Sequence, residues 1–282
     1  MPTLAQEQIT DAQLSKYARL IYDRTGIRVS PQKKTLLSNR IRRRLKETGI
    51  DGYEAYLNQL RKLKPNQPEW DRFLQEITTH ETYLFRDETQ WKWFREEFLP
   101  ECVSRSHETG KRSLRIWSAA ASTGDEAATV ASCIAGHLPN FSAWNIQIVG
   151  TDIGIGALEE AKAAVFGQRA MRLVPESLSR RFFTKAKDAN VWQAKPMLTD
   201  MMTFRQHNLM DPLREHPFDL VILKNVLIYF DKTSKQQVVT NLLEKVRPGG
   251  LLLCGAAEGV SDFLKGLERI HPWLYRQPDT TR

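Results

Sequence analysis

The sequence of 282 residues contains few cysteines and no long apolar run. Cys102, Cys133 and Cys254 stand alone, with neither a CxxC pair nor a histidine at metal-ligand spacing. This pattern argues against a disulfide framework and a zinc site, and it is typical of a reducing compartment. No apolar stretch approaches the roughly 18 residues that a membrane-spanning helix needs. Because MPTLAQEQITDAQ at the start also lacks the regions of a signal peptide, we expect a cytoplasmic protein.

The sequence also lacks the GxGxxG fingerprint of dinucleotide-binding folds, internal repeats and low-complexity tracts. The missing glycine fingerprint argues against a nicotinamide-dependent dehydrogenase. Lysine and arginine number 41 against 33 aspartates and glutamates, which gives a formal net charge of +8. Such an excess favours an acidic partner, but charge alone does not choose among nucleic acid, an anionic membrane surface and an acidic protein.

Two regions with different hydrophobic patterns divide the chain. Between residues 11 and 72, apolar residues recur at the three- and four-residue spacing of helices. This periodicity predicts a small all-α domain, to which we assign residues 1–77. The segment KLKPNQP at residues 62–68 has two prolines and no periodicity, and it is therefore a predicted loop.

From residue 114 onward, short runs of successive apolar residues alternate with helical segments. The runs are LRIW, IQIVGTD, FDLVILKN and GLLLCG. Uninterrupted apolar runs are typical of strands that a parallel sheet buries on both faces. We therefore expect residues 78–282 to form an α/β domain with a mostly parallel sheet. Within it, residues 181–206 are predicted to form a small β insertion, and residues 241–255 a helix, a Pro-Gly-Gly turn and a buried strand.

Small side chains follow the first predicted strand, in the stretch SAAASTGDEA from Ser118 to Ala127. Ligands of doubly wound sheets bind beyond the carboxyl ends of the strands, near the point where the strand order reverses. Small side chains there would let a flat ligand approach the backbone and the start of the next helix. Close packing of the turn against a neighbouring strand is the alternative explanation.

A carboxylate ends the second predicted strand, at Asp152 in VGTD. An acidic residue at this place accepts hydrogen bonds from ribose hydroxyls in nucleoside-binding α/β folds. An aspartate after a strand also commonly caps a helix, so the residue alone does not decide between the two roles. Together with the small-residue turn, Asp152 favours an adenosine ligand. Since the pyrophosphate loop is missing, the natural candidate is S-adenosylmethionine.

Two further polar stretches are candidate parts of the site. TTHETYLFR, residues 78–86, joins the two regions, and Thr82 and Arg86 would share one face if this stretch were helical. The aromatic residues around Arg86 predict partial burial, and a buried cation needs a partner. Lys224 and Asn225 directly follow the predicted strand FDLVIL, at the edge of the sheet where ligands bind. The alternative is that Asn225 caps a helix and Tyr229 belongs to the core.

Taken in order, these stretches resemble the chemotaxis receptor methyltransferases, the CheR family of protein-glutamate O-methyltransferases. The matching stretches are TTHETYLFR, IWSAAASTGDE, GTDI, HNL and FDLVILKNVLIYFD, and with the basic helical domain they cover nearly the whole chain. The resemblance implies a Rossmann-like fold that transfers a methyl group from S-adenosylmethionine to glutamate carboxylates of chemotaxis-type receptors. It implies a cofactor-binding set of His80, Thr82, Arg86, Glu126, Asp152, Asn208, Leu209, Lys224 and Asn225. It also implies that Arg86 and Tyr229 are the catalytic residues beside the transferred methyl group.

The sequence departs from the common pattern of this family at several positions. His80 stands where the family often has asparagine, Lys224 replaces a common arginine, and Leu84 replaces the first phenylalanine of an FFR motif. Ala-Ala at residues 127–128 replaces a frequent Pro-Tyr, and GAAE at residues 255–258 replaces a GHSE-like motif. These departures bear on cofactor affinity and rate more than on the fold.

A basic helix is predicted at residues 33–46, KKTLLSNRIRRRLK. Its leucines and isoleucine form an apolar seam four residues apart, so the helix can pack inward while its other faces present charge. A merely solvated charged face would show the same pattern. The family resemblance implies docking on the acidic helical bundle of a methyl-accepting receptor, through Arg40, Arg42, Arg43 and Lys46. We expect the protein to be a monomer.

Two rival functions remain from the sequence. A nucleic-acid methyltransferase would share the positive charge and the adenosine pocket, but the chain has no [DNS]PP[YF] tetrad near residues 218–230 and no cysteine nucleophile motif. A noncatalytic receptor-binding scaffold with a degenerate cofactor pocket is the other rival. The presence of Arg86, Glu126, Asp152 and Tyr229 argues against it. We expect no metal, no nucleic acid and no membrane insertion.

Overall fold

The computed structural model describes residues 8–64, 67–79, 81–187 and 189–279, so His80 lies outside the described residues. No helix within these ranges is long and apolar enough to cross a bilayer. The cytoplasmic location and the monomeric state stay predictions.

Four helices pack around one apolar cluster in the first part of the described chain. Their bounds are α1 (Asp11–Thr25), α2 (Lys34–Thr48), α3 (Tyr53–Lys62) and α4 (Pro68–Ile77). Helix α1 begins with a capping box between Thr10 and Gln13 and ends at Gly26, which has a φ of 71°. The seam of α2, Leu37 with Ile41 and Leu45, is buried in this cluster as its spacing predicts.

A buried ion pair fixes the basic helix α2 within this helical domain. The Arg44 guanidinium donates to both carboxylate oxygens of Glu69 in α4, at 3.1 and 2.6 Å. The Tyr56 hydroxyl of α3 donates to the same carboxylate at 2.6 Å. Since a buried charge without a partner is costly, this network holds α2, α3 and α4 in one arrangement.

Ten strands follow among the described residues: β1 (Ser113–Ser118), β2 (Asn145–Asp152), β3 (Val165–Gly167), β4 (Phe183–Lys185), β5 (Val191–Ala194), β6 (Met202–Gln206), β7 (Phe218–Leu223), β8 (Val246–Cys254), β9 (Glu268–His271) and β10 (Leu274–Arg276). Seven of them form the main sheet, in the order β6-β2-β1-β7-β8-β10-β9. The first five are parallel, and β10 pairs antiparallel with β8 and β9. The strand order reverses between β1 and β7.

Eight further helices are described in this part of the chain: α5 (Glu88–Trp93), α6 (Leu99–Thr109), α7 (Asp125–His137), α8 (Ile155–Ala163), α9 (Gln168–Met171), α10 (Glu176–Phe182), α11 (Pro196–Thr199) and α12 (Lys232–Leu243). Helices α7 and α12 contribute to the two different apolar clusters that flank the main sheet, whereas α9 packs against the small sheet. A π-helical turn, Phe94–Phe98, joins α5 to α6. Successive residues of β1, Ile116 and Trp117, belong to different apolar clusters. Both faces of the strand are therefore buried, as the uninterrupted apolar run predicts. The predicted fold class is confirmed.

Two local predictions need correction. The small antiparallel sheet, in the order β3-β5-β4, begins at residue 165 and ends at residue 194, whereas the prediction placed it at 181–206. Strand β6 belongs to the main sheet because it pairs in parallel with β2. The Pro-Gly-Gly sequence at residues 248–250 is not a turn before the last predicted strand but lies inside β8, where the pairing with β7 shifts register. Gly249 has a φ of 66° there, which glycine adopts without strain.

Candidate functional site

One pocket lies beyond the carboxyl ends of β1, β2 and β7, at the point where the strand order reverses. On its other side the helical domain supplies Lys33, Leu36 and Arg40 as wall residues. All the described residues that the sequence assigned to the site line this pocket, namely Thr82, Arg86, Glu126, Asp152, Asn208, Leu209, Lys224, Asn225 and Tyr229. The sequence therefore predicted a set of side chains that the fold brings together.

The small-residue turn after β1 both packs against its neighbours and lines the pocket. The Ala119 N–H donates to the Ile222 carbonyl at 2.9 Å, and the Ala121 N–H donates to the Thr151 carbonyl at 2.8 Å. These bonds attach the turn to β7 and β2, while residues 119–122 face the pocket. Gly124 ends the turn with a φ of 87°, and a Cβ atom there would lie 2.9 Å from the Ala161 side chain. The alternative of close packing is therefore confirmed for this turn, whose residues also line the pocket, while its contact with a ligand stays a prediction.

Asp152 is buried at the end of β2, and two backbone groups fix its carboxylate. Its Oδ2 accepts a hydrogen bond from the Ser122 N–H and its Oδ1 one from the Gly154 N–H, both at 2.9 Å. The bond to Gly154 orders the residues that precede α8, but Asp152 does not cap this helix, whose N-cap residue is Gly154 and has no side-chain cap bond. Each carboxylate oxygen keeps a second lone pair, which is free to accept a hydroxyl donor from a ligand.

Glu126 lies in the first turn of α7, where its Oε1 accepts a hydrogen bond from the Ser118 hydroxyl at 2.7 Å. Burial raises the pKa of the Glu126 carboxyl, although the nearby Lys224 ammonium opposes this shift. The anion is therefore poorly solvated in the free protein. A cationic group of a ligand beside it would stabilise the ionised form.

The variant Glu126→Gln should be more stable than the wild type at neutral pH. Because the folded-state pKa is raised, the stabilisation that the protonated carboxyl contributes is fully present only below the ordinary, unfolded-state value of 4.5, and it is lost as the pH rises through the folded-state pKa. Glutamine avoids this ionisation and can still accept the Ser118 bond. We expect a gain on the order of 1 kcal/mol near neutral pH and a smaller gain in acid. Denaturant unfolding of both proteins at about pH 5 and about pH 8 measures the two gains. A variant less stable than the wild type near neutral pH would contradict the conclusion that the ionised Glu126 carboxylate is poorly solvated.

Arg86 lies in an irregular turn, not in a helix, so it does not share a helical face with Thr82. The flanking residues Phe85 and Asp87 have φ angles of 58° and 66°. The half-buried Arg86 side chain donates from Nη1 to the Glu81 carbonyl at 3.1 Å. Its guanidinium carbon lies 5.6 Å from the centroid of the Tyr83 ring. The partial burial that the surrounding aromatic residues predict is confirmed.

Asn208 links the pocket to the helical domain. Its Nδ2 donates to the Arg24 carbonyl near the end of α1 at 2.8 Å, and its Oδ1 accepts the Met210 N–H at 3.1 Å. The Leu209 carbonyl accepts a hydrogen bond from Asn241 in α12 at 2.9 Å. The position of this loop therefore depends on both domains.

The helical domain also contacts Tyr229 and provides cations at the pocket wall. Lys33 Nζ lies 4.9 Å from the centroid of the Tyr229 ring, and the Arg28 N–H donates to the Tyr229 carbonyl at 2.8 Å. The half-buried Arg40 side chain donates to the Ile77 carbonyl and the Thr79 hydroxyl. Sequence reasoning placed Arg40 on an outer surface and missed its place in the wall.

The sequence analysis also assigned no role to Glu258, which is fully buried beside the turn that follows β7. Its two carboxylate oxygens accept the N–H groups of Val226 at 3.3 Å and Leu227 at 2.7 Å. These bonds hold the turn that carries Asn225, whose φ is 60°, and Tyr229. The available signal was an acidic residue just beyond the carboxyl end of the buried strand β8, the edge where ligand-binding and catalytic groups collect.

The residues present fit S-adenosylmethionine. The Ser122 hydroxyl and His207 Nε2 are buried polar atoms of pocket-lining residues, and neither has a hydrogen-bond partner among the described residues. With the free lone pairs of Asp152, they offer partners to a nucleoside. The poorly solvated carboxylate of Glu126 suits the cationic methionine part. The described ranges contain no cluster of side chains that could hold a metal ion.

Comparisons with known proteins identify the family to which this chain belongs. The family model described as CheR methyltransferase, all-alpha domain, matches residues 12–78, and the CheR methyltransferase SAM-binding domain matches residues 80–271.

Three similar proteins are named chemotaxis protein methyltransferases. The protein from Borreliella burgdorferi is 29% identical over 95% of both chains. The Salmonella typhimurium protein is 28% identical over 91% of this chain and 87% of its own length. Chemotaxis protein methyltransferase 1 of Pseudomonas aeruginosa is 31% identical over 87% of this chain and 89% of its own. The predicted resemblance and cofactor are confirmed: the chain belongs to the CheR methyltransferase family and is an S-adenosylmethionine-dependent methyltransferase.

Proposed function

We propose that this protein transfers methyl groups from S-adenosylmethionine to glutamate side chains of chemotaxis receptors, which gives glutamate methyl esters and adapts signalling. The observation that supports this function best is one pocket, at the edge where the strand order reverses, that contains both Arg86 and Tyr229 and opens beside the basic helix α2. The similar proteins are named chemotaxis protein methyltransferases, which supports methyl transfer in chemotaxis. Transfer of radiolabelled methyl groups to a receptor fragment, in a form that alkali releases, tests it.

The proposed reaction requires little acid–base catalysis by the protein. A glutamate side chain has a pKa of roughly 4.3, so at neutral pH it is already an anionic nucleophile and needs no general base. When bound, the cofactor supplies an activated methyl group on a sulfonium sulfur. The task of the protein is to bring the carboxylate to this methyl group in line, to hold it there and to exclude water.

Within this proposal, each side chain has a physical role. Arg86 attracts and orients the incoming carboxylate through charge-assisted hydrogen bonds. Tyr229 shapes the slot around the methyl group or donates a hydrogen bond there. Asp152 accepts ribose hydroxyls, and Glu126 lies beside the cationic part of the cofactor. The remaining proposed cofactor contacts are Thr82, Asn208, Leu209 and Asn225, while for His80 and Lys224 a cofactor contact is what the family pattern implies.

Helix α2 is the proposed docking surface for the receptor, within a helical domain that we assign to residues 1–77 ahead of a methyltransferase domain at 78–282. Leu36, Arg40 and Arg43 share one face of α2 because they are three and four residues apart. Leu36 and Arg40 line the pocket, so this face leads outward from the pocket to the exposed Arg43 and Lys46. Arg42 is half-buried beside this face. A basic stripe that leaves the pocket suits an acidic helical bundle whose glutamates enter it.

Reversal of two charges on this face should weaken receptor use without loss of cofactor binding. For Arg43→Glu combined with Lys46→Glu, we expect KM for a receptor fragment to rise by about 10-fold or more at low salt, because acidic surfaces would repel each other. High salt should reduce the difference, since it screens exposed charges. Initial rates over a range of receptor and salt concentrations measure this.

The matched control reverses Lys111 and Arg112, two exposed cations that precede β1 at the opposite edge of the sheet. It changes the net charge of the protein equally. An equal rise in KM for both variants would show a long-range charge effect and contradict docking on α2.

A further inference from the structure

The turn that carries Arg86 is held in a conformation that its sequence does not favour. Phe85 and Asp87, on either side of Arg86, both have positive φ angles, which aspartate tolerates but which a bulky aromatic residue such as Phe85 rarely adopts. Such backbone strain persists only where the surrounding structure enforces it, and it concentrates at functional sites. The groups that enforce it here are therefore informative about Arg86.

On the amino-terminal side, hydrogen bonds from two backbone N–H groups hold the turn. The Phe85 N–H donates to the Thr129 hydroxyl of α7 at 3.0 Å. The Leu84 N–H donates to the Ala170 carbonyl of α9 at 3.1 Å. Both side chains, Leu84 and Phe85, are fully buried in the apolar core. This side of the turn is thus attached to the body of the methyltransferase domain.

On the carboxyl-terminal side, Lys224 supplies the corresponding contacts. Its side chain is only 4% exposed and pairs with the Asp87 carboxylate at 3.0 Å. The same ammonium group donates to the Arg86 carbonyl at 3.1 Å and lies 5.0 Å from the centroid of the Trp91 ring. Trp91 Nε1 donates to the same carbonyl at 2.6 Å. Two of the three donors of Lys224 are therefore engaged by the turn itself.

We propose that Lys224 is a positioning residue that acts through Arg86: by binding the Arg86 carbonyl and the Asp87 carboxylate, it holds the turn so that the Arg86 guanidinium faces the acceptor carboxylate. This inference rests on the proposed function and deepens it. It also differs from the role of direct cofactor contact that the family pattern implies for this position. Lys224 follows β7, and Arg86 and Asp87 precede α5. Lys224 therefore affects the reaction indirectly, through its contacts with the Arg86 carbonyl and the Asp87 carboxylate.

A double-mutant cycle tests this inference. The variants are Lys224→Met, Arg86→Ala and their combination, and kcat/KM for a receptor fragment is measured at saturating S-adenosylmethionine. If Lys224 acts through Arg86, Lys224→Met should lower kcat/KM by about 10-fold or more in the wild type but by less than about 3-fold when Arg86 is already absent. Equal losses in both backgrounds, or a loss seen only as weaker S-adenosylhomocysteine binding, would overturn the inference.

Two further variants keep the test decisive. Asp87→Asn removes the ionic partner of Lys224 while it keeps the side-chain shape, and it should show the same dependence on Arg86. It replaces Lys224→Met in the cycle if that variant does not fold. Lys195→Met makes the same chemical change at a lysine that donates to the Arg181 carbonyl at 2.8 Å, near the small sheet. This control should change kcat/KM less than about 2-fold in both backgrounds.

The outcome separates this inference from the proposed function. If the wild type transfers no methyl group to receptor glutamates, the proposed function fails and the role of Lys224 fails with it. If the wild type is active and the cycle is additive, the function stands and only the positioning role is wrong.

Discussion

Replacement of Arg86 by alanine should lower kcat/KM for a receptor substrate by about 100-fold or more, because a charge-assisted contact to the acceptor carboxylate is worth about 3 kcal/mol. The protein should remain folded. The described contacts of the Arg86 side chain are one hydrogen bond to the Glu81 carbonyl and a distant approach to the Tyr83 ring. The backbone contacts that order the turn do not use the side chain. Initial rates with a receptor fragment, at saturating cofactor, measure the effect.

A matched variant separates charge from geometry at this position. Arg86→Lys keeps the positive charge but lacks the planar fork that binds a carboxylate through two parallel bonds. Its activity should lie between those of the wild type and Arg86→Ala. Undiminished turnover of the alanine variant, with an unchanged unfolding transition, would rule out Arg86 as the group that orients the carboxylate.

Replacement of Asp152 by alanine should weaken S-adenosylhomocysteine binding by about 100-fold, which corresponds to about 3 kcal/mol. Two losses combine in this variant. The ribose hydroxyls lose their acceptor, and the Ser122 N–H loses the carboxylate that orders the small-residue turn. Calorimetric titration with S-adenosylhomocysteine measures the affinity.

The amide variant Asp152→Asn is the control for the second loss. It keeps one oxygen that can accept the Ser122 N–H but removes the charge and one acceptor. Its affinity for S-adenosylhomocysteine should therefore lie between those of the wild type and Asp152→Ala. Wild-type affinity in Asp152→Ala would mean that the carboxylate does not contact the cofactor. The Asp152 side chain would then serve only to order the residues before α8.

Much of this site could be predicted because its signals are local in the sequence. The apolar runs end at the carboxyl ends of β1, β2 and β7, and parallel strands bring those ends to one edge. Asp152 and Asn225 could therefore be assigned to one pocket from their places after a strand. The small side chains of residues 119–122 follow from the same rule.

Other parts of the site depend on contacts between distant segments and left no local signal. The approach of Lys33 to Tyr229 and the hydrogen bond from Asn208 to Arg24 arise only when the helical domain packs over the pocket. The pattern of basic residues around Arg40 is the same whether its side chain faces a receptor or lines the pocket. Periodicity does not report such packing.

Two errors in the fold have physical causes of the same kind. Strand β6 is the edge of the main sheet and is only partly buried, so its sequence, MTFRQ, lacks the continuous apolar run of the inner strands. The sequence pattern therefore places it in the small insertion. Pro-Gly-Gly can form a turn or an irregular stretch within a strand, because glycine adopts positive φ in either place. Only the pairing of β8 with β7 decides between them.

Methylation of glutamate carboxylates by this protein is tested most directly by the site and chemistry of methyl transfer. The protein would be incubated with radiolabelled S-adenosylmethionine and the cytoplasmic fragment of a chemotaxis receptor from the same organism. Peptide mass spectrometry would then locate the modification, and mild alkali would release it as methanol. The proposed function predicts alkali-labile label on glutamates, which disappears when those glutamates are changed to alanine and falls sharply with Arg86→Ala. Label that resists alkali, label on other side chains, or no transfer by a protein that binds the cofactor would contradict it.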